Sequence, residues 1–320
     1  MTVRMFAALV LALGASAVCA QEYPTRPVTI VVPNPPGGMN QIHAQPFSAV
    51  WEKITQQPAP VVNRSGGTAA VGTAYVAAQQ PADGYHILVT TPNLFLVIEK
   101  DKLYGVKSPY SLDQIELLAL LSADPLILVV HPSLPVKNVK ELVALAKSKP
   151  NELVYSSSGP YGITHTPGAM FMDAAKIKMR HLPTTGGGPA LTQALGGHSQ
   201  VTGGGPAAVY SFIQSGKLRA IASWGVKPYP ALKDVPTLKS LGYDVEAYLW
   251  VGLFTRAGVP APVLTKMRQL IAKVAADPAF RQALENVQVV PDYRDAPEFR
   301  KFFDADYKRL AVAVKNIGKL

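Results

Sequence analysis

The fold of this chain is decided by the stretch VTIVV at residues 28–32 and the loop PNPPGGMN that follows it at residues 33–40. Five β-favouring residues in succession predict a strand that is buried on both faces. The prolines end this strand, and Gly37 and Gly38 permit backbone conformations that are closed to other residues. Asn40 is then expected to cap a helix over residues 41–56, where apolar side chains recur at helical spacing.

A glycine-rich turn between a buried strand and a helix can bind an anion. Backbone N–H groups and the positive end of the helix dipole converge there. The same residues are also compatible with a plain strand-to-helix turn, since glycine is the usual turn residue. These residues alone leave both interpretations open.

The succession of strand, small polar turn and helix recurs along the chain. Strands are predicted at residues 59–63, 86–90, 126–130, 154–156, 178–181, 200–202 and 219–223, and helices at 69–78, 139–147, 164–175, 189–195, 263–275, 278–286 and 297–316. This alternation is typical of parallel α/β sheets, which place ligands outside the carboxyl ends of their strands. Glycine or small hydroxyl residues occupy many of those ends.

The first twenty residues predict a secretory signal, with Arg4 before an apolar segment and a small-residue exit at residues 18–20. Cleavage is expected after Ala20, which removes Cys19, the only cysteine. The mature chain would therefore enter an oxidising compartment without a disulfide. No later apolar run approaches the roughly 18 residues that span a bilayer, so we expect a soluble protein.

Chain length and charge further restrict the possible domain organisation and the possible binding partners. The 300 residues left after cleavage reach the upper limit for a single core, so two lobes are expected. No low-complexity linker separates them, and strands near residues 119–124 and 248–254 are expected to cross between them. A formal net charge of +10 admits anionic partners. Because no block of five or six basic residues occurs, we expect a solvated basic surface and no nucleic-acid partner.

Common catalytic motifs are absent from the sequence. It contains no G-x-S-x-G elbow, Walker-type loop, H-E-x-x-H or C-x-x-C. The six histidines show no metal-ligand spacing, and neither a metal nor a cofactor is expected. Ser157 or Ser158 could pair with His165 as nucleophile and base, although a capping or packing role for His165 is the favoured interpretation.

Several short motifs occur in order from about residue 22 to the end. They are YPTRP at 23–27, the loop at 33–38, NRSG at 63–66, ADGY at 82–85, SGKLRA at 215–220, DVPT at 234–237, and WVGL at 250–253 with AP at 261–262. Together they resemble the Bug/TctC-type extracytoplasmic receptors of tripartite tricarboxylate transporters.

The resemblance implies an α/β, two-lobed periplasmic binding protein of the type II-like class. Each lobe would be a mainly parallel sheet flanked by helices, with the ligand cleft between the lobes. The first lobe would comprise residues 21–123 and 246–320, and the second residues 124–245. Such a protein would be a monomeric, non-enzymatic receptor that captures a small carboxylate and presents it to membrane permease subunits. The alternatives are a Ser/His hydrolase on an α/β scaffold, or a sensor or scaffold receptor with a degraded site.

The resemblance also implies that backbone groups and bound water hold the carboxylate at the first loop and at the turn after Asn63 and Arg64. Combined with the strand-end argument, it predicts a set of ligand-binding residues from both lobes. They are Asn34, Pro36, Gly37, Gly38, Met39, Asn40, Gln41, Gly66, Gly67, Thr68, Thr90, Thr91, Asn93, Ser157, Ser158, Tyr161, Thr164, His165, Thr184, Thr185 and Gly204.

This chain departs from the family pattern in both lobes. Residues 39–41 stand where the first loop usually has a third glycine, a small polar residue and an aspartate, and Ala70 replaces an asparagine. Thr184 and Thr185 replace an aromatic and a basic residue, and Gly204 replaces an aspartate. Loss of the two acids removes partners for a ligand ammonium group. Loss of the basic residue removes a cation that could bind a second carboxylate of the ligand, so the departures favour a bulkier monoacid.

Overall fold

The computed structural model describes residues 22–320, so the predicted signal segment and its cleavage after Ala20 lie outside the described residues. Eleven strands occur in this part of the chain: β1 (Thr29–Val32), β2 (Val61–Asn63), β3 (His86–Thr90), β4 (Ile115–Pro125), β5 (Ile127–Val130), β6 (Val154–Ser157), β7 (Arg180–Pro183), β8 (Val201–Gly204), β9 (Arg219–Ser223), β10 (Tyr248–Arg256) and β11 (Pro291–Arg294).

Ten α-helices accompany these strands within residues 22–320. They are α1 (Met39–Thr55), α2 (Ala70–Ala74), α3 (Asn93–Tyr104), α4 (Val139–Ser148), α5 (His165–Ala175), α6 (Gly187–Leu195), α7 (Pro206–Gln214), α8 (Ala261–Ala276), α9 (Pro278–Glu285) and α10 (Ala296–Ile317). A π-helical turn, Tyr75–Gln79, continues α2, and short 3-10 turns occur at Leu112–Gln114 and Lys239–Leu241.

The strands form two sheets. The first has the order β11-β4-β10-β3-β1-β2, and the second has the order β7-β6-β8-β5-β9. We call the two halves built on these sheets the first and second lobes. β1 lies between β2 and β3, and Ile30, Val31 and Val32 are fully buried, as the sequence predicts.

Both sheets are mixed, so the prediction of mainly parallel sheets is wrong. β1 pairs in parallel with β2 and β3, but β10 runs antiparallel to β3 and β4. In the second sheet β5 runs antiparallel to β8 and β9. The antiparallel pairs arise where the chain passes between the lobes. β4 runs directly into β5, and β10 later brings the chain back beside β4, where Tyr248 pairs with Pro125.

The start of α1 also differs from its prediction. Gly38, not Asn40, is the N-cap, and its carbonyl accepts hydrogen bonds from Gln41 and Ile42 at 3.0 and 3.1 Å. Asn40 lies inside the first turn, 2% exposed, and its amide nitrogen donates to the Asn34 side-chain oxygen at 2.6 Å. The helix can start early because Gly38 adopts an extended conformation that ends the preceding loop.

Candidate functional site

Two contacts join loops at the carboxyl ends of parallel strands across the two lobes, and a third lies within the second lobe. A Cβ at Gly159 would lie 3.1 Å from the Thr184 carbonyl and 3.7 Å from the Thr68 hydroxyl. The side-chain oxygen of Asn93 accepts a hydrogen bond from the Ile163 amide at 3.0 Å. These contacts bring together residues that the sequence assigns to a site between the lobes.

A fourth contact brings Met39 to the second lobe. A Cβ at Gly205, just after β8, would lie 3.8 Å from the Met39 sulfur and 2.8 Å from Leu249. Gly205 and Leu249 were not predicted as site residues. Gly205 follows β8 and Leu249 lies in β10, and these strands belong to different sheets. The two residues therefore approach each other only when the sheets pack, which no local sequence pattern indicates.

The first loop presents backbone groups to this space. Gly37 has a φ of +86° and open space around its Cβ position, and it is exposed together with Pro36. No side chain caps α1 among the described residues, and the amides of Gly38, Met39 and Asn40 donate to no described group. Because the first N–H groups of a helix have no intrahelical partner, these amides are free for a ligand.

Amide side chains tie the first loop to the second. The Asn63 side-chain nitrogen donates to the Asn34 carbonyl at 2.8 Å and to the Gln41 side-chain oxygen at 3.0 Å. Asn34 in turn accepts from Asn40. Gln41 therefore positions the loops, since its oxygen is already bonded.

The second loop and the end of β3 complete the wall of the first lobe. Gly66 and Gly67 are exposed and have φ values of +142° and +57°, and Thr68 follows with a φ of +56°. Thr90 is fully buried and Thr91 is 5% exposed. The Thr90 hydroxyl has no hydrogen-bond partner within residues 22–320.

The loop after β6 bonds mostly within itself. The Thr164 hydroxyl accepts from the Ser158 amide at 2.7 Å and donates to the Ser158 hydroxyl at 2.9 Å. The Tyr161 hydroxyl donates to the Gly318 carbonyl at 2.8 Å and lies 3.0 Å from the Tyr104 hydroxyl. Tyr161 thus connects this loop to the C-terminal segment and to α3 of the first lobe.

His165 does not pair with a serine. Its Nδ1 accepts the Tyr161 amide at 2.9 Å, so in the neutral ring the proton resides on Nε2. Burial, together with the neighbouring His181, lowers the pKa of His165 to about 3. A neutral imidazole with Nδ1 occupied cannot take a proton from Ser157 or Ser158 through that nitrogen.

His181, on β7, is the residue that Ser157 contacts. Its Nε2 lies 2.6 Å from the Ser157 hydroxyl, and its ring stacks on that of His165 with centroids 3.9 Å apart. Burial lowers the pKa of His181. The sequence gives no signal for this contact beyond a histidine near the end of a predicted strand, because β6 and β7 become neighbours only in the sheet.

The remaining second-lobe candidates lie at the ends of β7 and β8. The Thr184 hydroxyl lies 2.8 Å from both the Ser157 and the Gly186 carbonyl, either of which can accept its single proton, whereas Thr185 is exposed. A Cβ at Gly204 would lie 2.7 Å from Val209, so this glycine allows α7 to pack closely against β8.

Sequence comparison places the chain in a family. The profile of the family described as "Tripartite tricarboxylate transporter family receptor" (TctC) matches residues 46–319. The chain belongs to this family. The similar proteins include BugT of Bordetella pertussis, which is 26% identical over 306 residues that cover 95% of this chain and 93% of BugT.

Solved structures share the fold. An R. palustris protein with adipate superposes with a TM-score of 0.83 at 24% identity, covering 92% of this chain and 99% of that one. MatC from Rhodopseudomonas palustris with bound malate gives a TM-score of 0.81 at 22% identity, covering 91% and 100%. These likenesses confirm the predicted two-lobed α/β fold, with one helix-flanked sheet in each lobe.

Across residues 22–320, none of the helices combines the length and apolar character that a bilayer crossing requires. The same residues contain no group of three His, Cys, Asp or Glu side chains placed to hold a metal ion.

Proposed function

We propose that this protein is a periplasmic receptor that captures a small organic acid between its lobes and presents it to the permease subunits of a tripartite tricarboxylate-type transporter. The ligand-binding residues are those predicted above, with His181, Gly205 and Leu249 added. The lobes comprise residues 21–123 with 246–320, and residues 124–245. The change of sheet between β4 and β5, and the return from β9 to β10, support this division.

The free amides at the start of α1 carry this proposal. They lie at the carboxyl end of a buried parallel strand, and Met39 among them approaches the opposite lobe at Gly205. Backbone N–H groups and the positive helix end favour a carboxylate there. The adipate and malate of the two fold relatives are carboxylates, which supports the same ligand class.

Capture by closure explains why the site includes both lobes. A ligand that contacts both lobes favours the closed state, since only that state makes all the contacts. We expect a monomer whose radius of gyration, measured by small-angle scattering, is smaller with saturating ligand than without. No change would contradict ligand-driven closure.

A carboxylic-acid panel in a thermal-shift assay tests the function. An acid present at 100 times its Kd should add about 2.7 kcal/mol to the free energy of unfolding. Mass spectrometry of small molecules that co-purify with the protein would extend the panel. If no acid stabilises the protein and none co-purifies, the proposed receptor function is wrong and a sensor or scaffold role takes its place.

Because Ser157 contacts His181, the alternative hydrolase function requires its own test. A Ser–His pair needs a third group that orients the base, and His181 Nδ1 makes no hydrogen bond to any described residue. We therefore propose a non-catalytic protein. Turnover of ester substrates that is lost in both Ser157→Ala and His181→Ala would contradict this.

A further inference from the structure

Asp124 lies where the chain first crosses between the lobes, at residues 124–127, which we call the hinge. It is the last residue but one of β4, and β5 of the other sheet begins at Ile127. Asp124 is only 2% exposed. We propose that Asp124 is a proton-dependent switch of the hinge: its carboxyl group holds a proton while the lobes are in contact and releases it when they separate. The inference goes beyond the proposed function, because it concerns the hinge and does not depend on which ligand is bound.

The Tyr229 hydroxyl lies between the Asp124 carboxyl group and a backbone carbonyl. It is 3.1 Å from Asp124 Oδ1 and 2.6 Å from the Gln288 oxygen. Because a phenol has one proton, it can donate to only one of these two acceptors. The shorter distance assigns that proton to Gln288. A protonated Asp124 can then donate to the Tyr229 oxygen, whereas an ionised Asp124 would face an oxygen without a proton to share.

The remaining contacts of this carboxyl group do little to stabilise a negative charge. The Val290 amide donates to Oδ1 at 3.4 Å, a long hydrogen bond, and Oδ2 has no hydrogen-bond partner within residues 22–320. Burying a charge without partners is costly. Burial accordingly raises the pKa of Asp124 to about 7, and the Asp292 carboxylate adds a smaller repulsion. Hydrogen bonding and burial therefore both favour the protonated group.

The elements packed around the hinge carboxyl group supply no cation to it. On β11, Asp292 pairs with Arg294 at 2.6 Å. Glu246, which precedes β10, lies 3.3 Å from Arg309, and Lys227, shortly after β9, is exposed. Within the described part of the chain, none of these three cations forms an ion pair with the hinge carboxyl group. No neighbouring positive charge therefore displaces its proton.

The hydrogen bonds around Asp124 join the two lobes. Tyr229 follows β9 of the second sheet, whereas Gln288 and Val290 precede β11 of the first. Rotation of one lobe against the other would separate these groups and admit water to Asp124. In water the carboxyl group returns to its ordinary pKa of 3.8, so it ionises at neutral pH. Contact between the lobes thus takes up a proton, and by linkage it becomes more favourable as the pH falls below about 7.

Two histidines in the cleft act in the opposite direction. Burial lowers the pKa values of His165 and His181, so both rings would bind protons more readily once the lobes separate. This effect is common to wild type and to variants at Asp124. Comparison of wild type with Asp124→Asn therefore isolates the hinge, because the amide has the shape of a protonated carboxyl group and cannot ionise.

Carbon-13 NMR of protein labelled at the aspartate Cγ measures this proton without any ligand. The resonance that is missing in Asp124→Asn belongs to Asp124. Its titration midpoint should lie at least about one pH unit above the ordinary value of 3.8. A midpoint at the ordinary value would overturn the inference.

Small-angle scattering without added ligand measures the separation of the lobes. The radius of gyration should increase from pH 6 to pH 8 more in wild type than in Asp124→Asn. Asp306→Asn is the matched control: burial also raises the pKa of Asp306, but its partners Trp250 and Arg309 lie in the first lobe. It should respond to pH as wild type does. Equal responses in wild type and Asp124→Asn would overturn the inference.

Calorimetry with adipate and malate extends the test to binding. For whichever acid binds, the affinity of wild type relative to Asp124→Asn should be about tenfold higher at pH 6 than at pH 8, because the ligand favours the state that holds the proton. A constant ratio would overturn the inference while the receptor function stands. If neither acid binds, the receptor function fails for these acids, and the NMR titration and the scattering still decide the inference.

Discussion

The side-chain oxygen of Asn93 accepts a hydrogen bond from the backbone amide of Ile163 at 3.0 Å, and this contact joins the two lobes. Asn93 is 6% exposed and Ile163 is 4% exposed. In the proposed closure this bond would replace water on both groups, and a residue at the start of α3 would then take part in closure as well as in the candidate site.

Asn93→Ala should weaken ligand binding. In the closed state the Ile163 amide would be left buried without a partner, which costs about 1–3 kcal/mol, whereas water can satisfy it in the open state. Affinity for an acid from the panel should fall by about 5- to 150-fold, as measured by calorimetry.

Asn138→Ala is the control for that variant. The Asn138 side chain also accepts a backbone amide, that of Glu141 at 2.9 Å, but it caps α4 away from the cleft. It should lose about 1 kcal/mol of stability with unchanged affinity. Wild-type affinity in Asn93→Ala would show that the contact between the lobes does not contribute to binding.

Gly38→Glu should abolish carboxylate binding. The side chain has room, because the Cβ position would lie 3.9 Å from the Pro35 carbonyl oxygen, and the φ of −88° suits any residue. The protein should therefore fold, which circular dichroism can check. A negative charge would then stand where the ligand carboxylate docks.

Gly38→Gln separates charge from size in the same position. It should bind the ligand more weakly than wild type but more tightly than Gly38→Glu. Gln41→Ala should lose only about 1 kcal/mol of binding free energy, because it loses one hydrogen bond to Asn63. A folded Gly38→Glu protein with wild-type affinity would place the anion elsewhere.

Gly159→Ala should reduce both stability and affinity. Gly159 has a φ of +119°, and an added Cβ would lie 3.1 Å from the Thr184 carbonyl and 3.7 Å from the Thr68 hydroxyl. Gly242→Ala, at a φ of +89° with open space around it, carries the backbone strain alone. Both should lose about 1–3 kcal/mol in denaturant unfolding. Only Gly159→Ala should lose affinity, and equal affinities would argue against contact between these loops.

His165 should make the protein less stable in acid. Its pKa falls from 6.5 to about 3 on folding because the ring is buried. The unfolded chain therefore binds more protons below pH 6.5, and stability that is complete above pH 6.5 declines as the pH falls towards about 3. His43, whose pKa burial lowers to about 4, acts in the same direction.

The measurement is denaturant unfolding between pH 7.5 and 4.5. Replacing His165 by Gln should reduce the loss of unfolding free energy in acid by up to about 1.4 kcal/mol per pH unit. The Gln side-chain oxygen can still accept a hydrogen bond from the Tyr161 amide. His198→Gln, at an exposed position, should follow the wild-type curve. Identical curves for all three proteins would show that His165 does not titrate in this way.

Local patterns in the sequence predicted most elements of this fold. β3 and β9 have the predicted bounds, since a run of β-favouring residues between turns is a property of neighbours in the chain. The local signal was missing for α3, whose first turns are buried all round and show no polar face, and for β11, a short edge strand that starts at a proline. The sequence also determined the family, through motifs spread from residue 23 to residue 262.

Only the tertiary structure decided strand direction and the partners within the site. β4 and β10 were predicted to cross between the lobes, but their antiparallel pairing depends on where the chain returns to the first sheet. Ser157 meets His181, and Asn93 meets Ile163, across 24 and 70 residues. Such contacts depend on how separate elements pack, because periodicity reflects only interactions within about two turns of the chain. The sequence therefore predicted which residues lie at the strand ends. The packing of the two sheets decided which hydrogen-bonding groups of those residues have a partner within the protein.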